Sequence, residues 1–180
     1  MEKTRMKKIS LVVAGLATIG VLGLGQSAHA EETTAQVKVN SGGIKISEAK
    51  NITFNDVTVA KGGSTATEKD KSSVTIEDLR GSSSKGWTLT AKLKDENFKG
   101  MGLNVAPKIE SNNTVAKPGT AANLGSTAQT IATVADADVK TTEFDTNISM
   151  NAKLTVPEKQ LAKTYTTTIV WNLAEGPGTK

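Results

Sequence analysis

The chain of 180 residues has no cysteine, and its single histidine is His29. Without a Cys or His downstream of that position, Ser-His-Asp and Cys-His catalysis, thiol redox chemistry and the usual zinc, copper and haem sites have no ligands or bases to work with. Carboxylate, Lys, Ser or Tyr chemistry is all that is left, and no cofactor is expected. The lack of cysteine also excludes a disulfide framework, so packing alone must hold the fold. Aromatic residues are scarce at 3% of the chain, which leaves Val, Ile, Leu and Ala to fill the interior.

Charge of one sign is also lacking once the chain is divided. Residues 1–30 read as a secretory signal peptide: basic Lys3, Arg5, Lys7 and Lys8, an apolar stretch over 9–25, and Ala28-His29-Ala30 as a small-x-small cleavage site. They hold four of the 22 Lys+Arg and one of the 18 Asp+Glu, so residues 31–180 carry 18 basic against 17 acidic residues and a net charge of +1, not the +4 of the whole. Scattered Lys among Asp and Glu provides no electrostatic footprint for nucleic acid or an anionic membrane. The apolar stretch is short and Gly-rich for a membrane span, and no second one follows.

Threonine is abundant, with 23 copies in residues 31–180, and β-branched residues recur in short alternating runs. The expected fold is all-β, an antiparallel, Ig-like β-sandwich forming a single domain over 31–180. Strands are predicted over 35–39, 43–46, 52–59, 73–76, 87–93, 130–134, 147–156 and 164–173. Alternation is clearest at Trp87/Leu89/Ala91/Leu93, at Ile148/Met150/Ala152/Leu154/Val156 and at Tyr165/Thr167/Ile169/Trp171/Leu173. In 52–59 the parity slips across Asn55-Asp56, which calls for a bulge or tight turn. Residues 62–72, 81–84 and 106–128 read as connectors, the last long enough to hide a short element.

Two short pieces share one pattern: Trp87-Thr88-Leu89 and Trp171-Asn172-Leu173 are both Trp-x-Leu, and they contain the only two tryptophans. The first continues as Thr90-Ala91. The second follows Leu154-Thr155-Val156-Pro157 and Tyr165 and precedes Gly176-Pro177. With the signal peptide, this arrangement resembles the WxL domain of cell-surface proteins from low-GC Gram-positive bacteria, over essentially all of 31–180. One departure is the stretch from Glu158 to Lys163, where a Gly-containing turn is expected.

The resemblance implies a secreted protein at the cell surface, attached non-covalently to the cell wall by binding peptidoglycan and associated with a membrane-anchored WxL-interacting protein. Consistent with that, residues 173–180 offer no Leu-Pro-x-Thr-Gly signal or hydrophobic tail, and Glu31, not Cys, follows the expected cleavage site. An alternative is a structural or adhesive subunit whose strand edges bind host surface proteins or other subunits.

Trp87, Leu89, Trp171 and Leu173 are the candidate binding residues. They serve either as core packing, with the two motifs adjacent in one sheet and Thr88 and Asn172 facing outward, or as an aromatic platform for sugar rings. Tyr165 either offers its hydroxyl to a glycan or caps a sandwich corner, the commoner role for a Tyr at the start of a late strand. Asp136, Asp138, Glu143 and Asp145 lack the spacing of a calcium loop, and they are the sole obvious carboxylates for glycoside hydrolysis, which nothing else favours. No enzymatic activity is expected. The acceptor-like triplets at Asn51, Asn112 and Asn147 read as chance matches in a chain rich in Thr and Asn.

Overall fold

Strand β4 (Trp87–Leu93) carries the strictest alternation in the chain and sits at the centre of the structure, a computed structural model that describes residues 34–81, 85–96, 98–110, 115–138 and 144–176. Trp87, Leu89, Ala91 and Leu93 are buried on one face, while Lys92 on the other is exposed. Such a strand must be covered on one side only, which is the signature of a sandwich layer. By its contacts the chain divides into Met1–Lys38 and Val39–Lys180, and every strand belongs to the second unit. The expected signal peptide, residues 1–30, lies outside the described residues. Among the described residues no helix is long and apolar enough to cross a membrane.

The remaining strands are β1 (Ile44–Ala49), β2 (Ser64–Thr67), β3 (Ser73–Asp78), β5 (Gly102–Val105), β6 (Lys108–Ile109), β7 (Lys117–Pro118), β8 (Ala122–Leu124), β9 (Gln129–Val134), β10 (Asp145–Ser149), β11 (Lys153–Val156) and β12 (Ile169–Glu175). A single 3-10 turn, Asp136–Asp138, interrupts them among the described residues. All the pairings are antiparallel, and they form three four-stranded sheets in the orders β1-β3-β10-β6, β2-β11-β5-β8 and β12-β4-β9-β7. The all-β class therefore holds, with three sheets enclosing one core that includes Val74, Ile76, Leu89, Leu103, Ile131, Ile148 and Met150.

Two of the three sheets are separate because one predicted strand bends. Residues 147–156 alternate as expected, with Ile148, Met150, Ala152, Leu154 and Val156 all buried. However, Asn151 takes a left-handed backbone (φ 44), which ends β10 and starts β11 in another sheet. Asn tolerates that region better than most residues, and its side chain fixes the corner by donating to the Ala106 carbonyl at 3.0 Å. On the neighbouring strand, Pro107 separates β5 from β6 at the same place, because it has no N–H for the ladder. Glu68 holds the corner from below: its Oε1 accepts the Ala152 amide at 2.8 Å and the Ser72 hydroxyl at 2.6 Å.

Other expectations need correcting. Residues 35–39 form no strand and are exposed. Residues 52–59 hold only an isolated bridge, Phe54 to Glu68. Asn55 turns its side-chain amide onto Thr67 and Glu68, so pairing stops there and Val57 and Val59 are left outside. The connector 62–72 contains β2, and the stretch 106–128 contains β6, β7 and β8. Strand β5 was not anticipated either. The last strand begins at Ile169, five residues later than the alternation suggests.

Candidate functional site

The two Trp-x-Leu motifs lie side by side. Strand β12 pairs with β4 so that Leu173 faces Leu89, Trp171 faces Ala91 and Glu175 faces Trp87. Paired residues share a face of the sheet, so both tryptophans and both leucines point to the same side, arranged head to tail about the Leu89–Leu173 pair. The ends of the motifs are tied together where the Gly176 amide donates to the Gly86 carbonyl at 2.6 Å, while the Gly86 amide donates to Asp136 Oδ1 at 2.7 Å. Glycine is required at position 86, since a Cβ there would lie 2.0 Å from the Val134 carbonyl oxygen.

Symmetry in sequence does not carry over to exposure. Trp87 is 2% exposed and Leu89 fully buried, because β4 is a central strand covered from both sides. Strand β12 is an edge strand, and Trp171 and Leu173 are only half-buried against the core. Asn172 faces outward and is exposed; Thr88 is on the same outer face but buried.

Trp171 forms part of the wall of an open groove of about 1070 Å³. One side is residues 49–59 and the other is residues 160–169, both largely outside the sheets. Its floor includes Phe98, Met101, Leu103, Leu154 and Val156. Four of the six aromatic residues of the chain, Phe54, Phe98, Tyr165 and Trp171, line this one feature. Thr53, Asn55, Thr58, Thr164, Thr166 and Thr168 supply a polar rim. The Thr167 hydroxyl oxygen is buried in the lining and has no hydrogen-bond partner among the described residues.

Locally, the segment before β12 is shaped by a turn over Pro157–Gln160, closed by the Gln160 amide on the Pro157 carbonyl (3.2 Å), where a Gly-containing turn was expected. Glu158 accepts the Gly62 amide and the Gln160 side chain donates to the Lys99 carbonyl, which fixes the turn to two other loops. The Tyr165 hydroxyl donates to the Leu161 carbonyl at 2.7 Å, and Lys163 Nζ sits 5.2 Å from its ring centroid. That backward bond matches the corner role expected of Tyr165.

Two of the four candidate carboxylates are engaged in structural contacts. Asp136 accepts from Gly86, and Asp138 pairs with Lys117 at 3.8 Å; Glu143 lies outside the described residues. Among the described residues no group of three or more His, Cys, Asp or Glu side chains could hold a metal ion. At the Trp87 end of the sheet, Arg80 is nearly buried and forms a two-pronged pair with Asp78 (2.9 and 2.7 Å), with Glu175 at 3.8 Å. Burial pushes the Asp78 carboxyl up, but the Arg80 bonds outweigh it and hold it below its usual range. Glu110 is held at about 2 by Lys71, then Ser149, then Lys108, at 3.1, 2.9 and 3.2 Å. These clusters join strands and loops; neither lines the groove.

Of the four residues predicted from the motifs, the structure brings all of them onto one face and only Trp171 into the groove lining. Phe54, Phe98, Met101 and Thr167 were missed as lining residues. The one signal for Thr167 was its place in the Tyr165/Thr167/Ile169/Trp171 alternation, and the scarcity of aromatics was the one signal for Phe54 and Phe98.

No curated protein and no solved structure matches the chain. A family model described as WxL domain, surface cell wall-binding, matches residues 30–177. The chain therefore belongs to the WxL family of surface, cell wall-binding domains.

Proposed function

We propose that this cell-surface protein is exported through cleavage after Ala30 and attaches to the Gram-positive wall by non-covalent binding of peptidoglycan in the groove beside Trp171. The observation that supports this reading is the gathering of four scarce aromatics into one open groove with a threonine- and asparagine-rich rim. Aromatic faces pack against the C–H faces of sugar rings, and hydroxyl and amide side chains bond the sugar hydroxyls, so this combination suits a carbohydrate strand. Trp87, Leu89 and Leu173 then act as core that sets the position of Trp171. A membrane-anchored WxL-interacting protein is the proposed partner at the surface, and no catalytic step is assigned to any residue.

The test is sedimentation of residues 31–180 with isolated Gram-positive walls. The protein is expected in the wall pellet, released by denaturant, and depleted from the pellet when Trp171 is replaced by Ala. A soluble protein in the presence of purified walls contradicts direct binding. The alternative reading, an adhesive or structural subunit that binds host surface proteins or other subunits, draws on the sheet edges at β1 and β12.

A further inference from the structure

We propose that the groove also receives an extended strand, Thr34–Val39, from a second copy of this chain, so that copies join head to tail by strand donation. Three independent observations meet in this proposal, and none of them depends on what the groove holds at the wall.

The first is an acceptor with a strand's worth of backbone left open. After a bend at Ala162-Lys163, residues 164–167 lead into β12 with alternating burial, yet among the described residues their backbone makes no backbone–backbone hydrogen bond. Strand β12 is itself an edge, with β4 on one side only. Edges of this kind pair with any strand that fits them. The second is an apolar lining left in water: Val57 is 40%, Val59 43% and Leu161 72% exposed, all three along the groove. The unpartnered Thr167 hydroxyl lies among the same residues.

The third is the donor. Ala35, Val37 and Val39 alternate with Gln36 and Lys38, a pattern that predicts a half-buried strand. Even so, they pair with nothing among the described residues, and Val37 and Val39 are 83% and 86% exposed, the two most exposed large apolar side chains described. Six extended residues span roughly 20 Å, within the roughly 40 Å that residues 164–175, the lead-in and edge strand β12, would cover if fully extended. The donor lies at the start of the exported chain and the acceptor is on the folded domain. The contact is therefore between unlike surfaces and propagates into a chain of subunits, leaving one open groove at one end. That free groove remains for the wall.

The test uses residues 31–180 in analytical ultracentrifugation over a range from micromolar to near-millimolar, together with the Val37→Glu/Val39→Glu variant, whose changes fall on exposed side chains. The wild type is expected to shift with concentration from monomer to species larger than a dimer, and the variant to stay monomeric throughout. Because the native chain has no cysteine, a mixture of Gln36→Cys chains and Thr166→Cys chains is expected to form a disulfide between the two kinds, lost when Val37→Glu/Val39→Glu is added to the donor. A wild type monomeric at every concentration, assembly unchanged in the double variant, or closure within one chain carrying both cysteines overturns the proposal. Assembly with no wall sedimentation supports it and removes wall binding alone.

Discussion

At the scale of single residues, the two tryptophans show how identical motifs acquire different roles from their strand neighbours. Trp87 lies on a strand paired on both sides and is sealed; Trp171 lies on an edge and keeps a face to the groove. Trp87→Ala should therefore destabilise the domain by roughly 3–5 kcal/mol, as expected for an aromatic removed from a packed core. Trp171→Ala should cost clearly less in the same denaturant titration. The sequence indicated that both side chains belong on the apolar face of their strands, and that is where they are. It did not indicate which of them is covered, because cover is supplied by β9 on one side of β4 and by nothing beyond β12.

At the scale of elements, legibility followed length and partner. Strand β4 was legible to the residue because seven positions alternate without exception. Strands β5 to β8 are two to four residues long and contain Gly, Asn and Pro, too little for a period to register. Residues 164–168 were predicted as strand from an alternation that is real, since Tyr165 and Thr167 do turn inward, but among the described residues their backbone gains one backbone bond, from the Lys94 amide to the Thr168 carbonyl, and no ladder. Periodicity reports the face that a residue occupies and is silent about the strand beside it. The same limit hid the bend in 147–156: the core face continues through Met150 and Ala152 while the backbone changes sheet at Asn151. Asn151→Val should destabilise by about 1–2 kcal/mol from the left-handed backbone, with loss of the bond to Ala106 in addition, whereas Asn151→Gly should lose mainly that bond; thermal unfolding of the two variants checks the order.

At the scale of the whole molecule, the fold is stabilised without disulfides, by one apolar core and a few charged ties such as the one in which Glu110 joins Lys71, Lys108 and Ser149. The Glu110 carboxyl titrates at about 2 in the fold against an ordinary 4.5. Its contribution is therefore fully present above pH 4.5 and lost as the pH falls towards 2. Glu110→Gln should lower the melting temperature at neutral pH, where that contribution is present, and differ little from the wild type near pH 2, so that its melting temperature falls less steeply across the window. The groove, by contrast, was not legible as a whole, since its aromatics come from three separate stretches that meet only when the three sheets are assembled. Family membership places the protein at the surface and the wall; the groove is the surface proposed for that attachment.

The measurement that bears most directly on this account is the fraction of residues 31–180 that sediments with purified peptidoglycan, for the wild type and for Trp171→Ala at matched folded fraction. The account predicts that most of the wild type enters the pellet and that the variant, still folded by its melting transition, stays largely in solution. Equal sedimentation of the two folded proteins, or none of either, would contradict it.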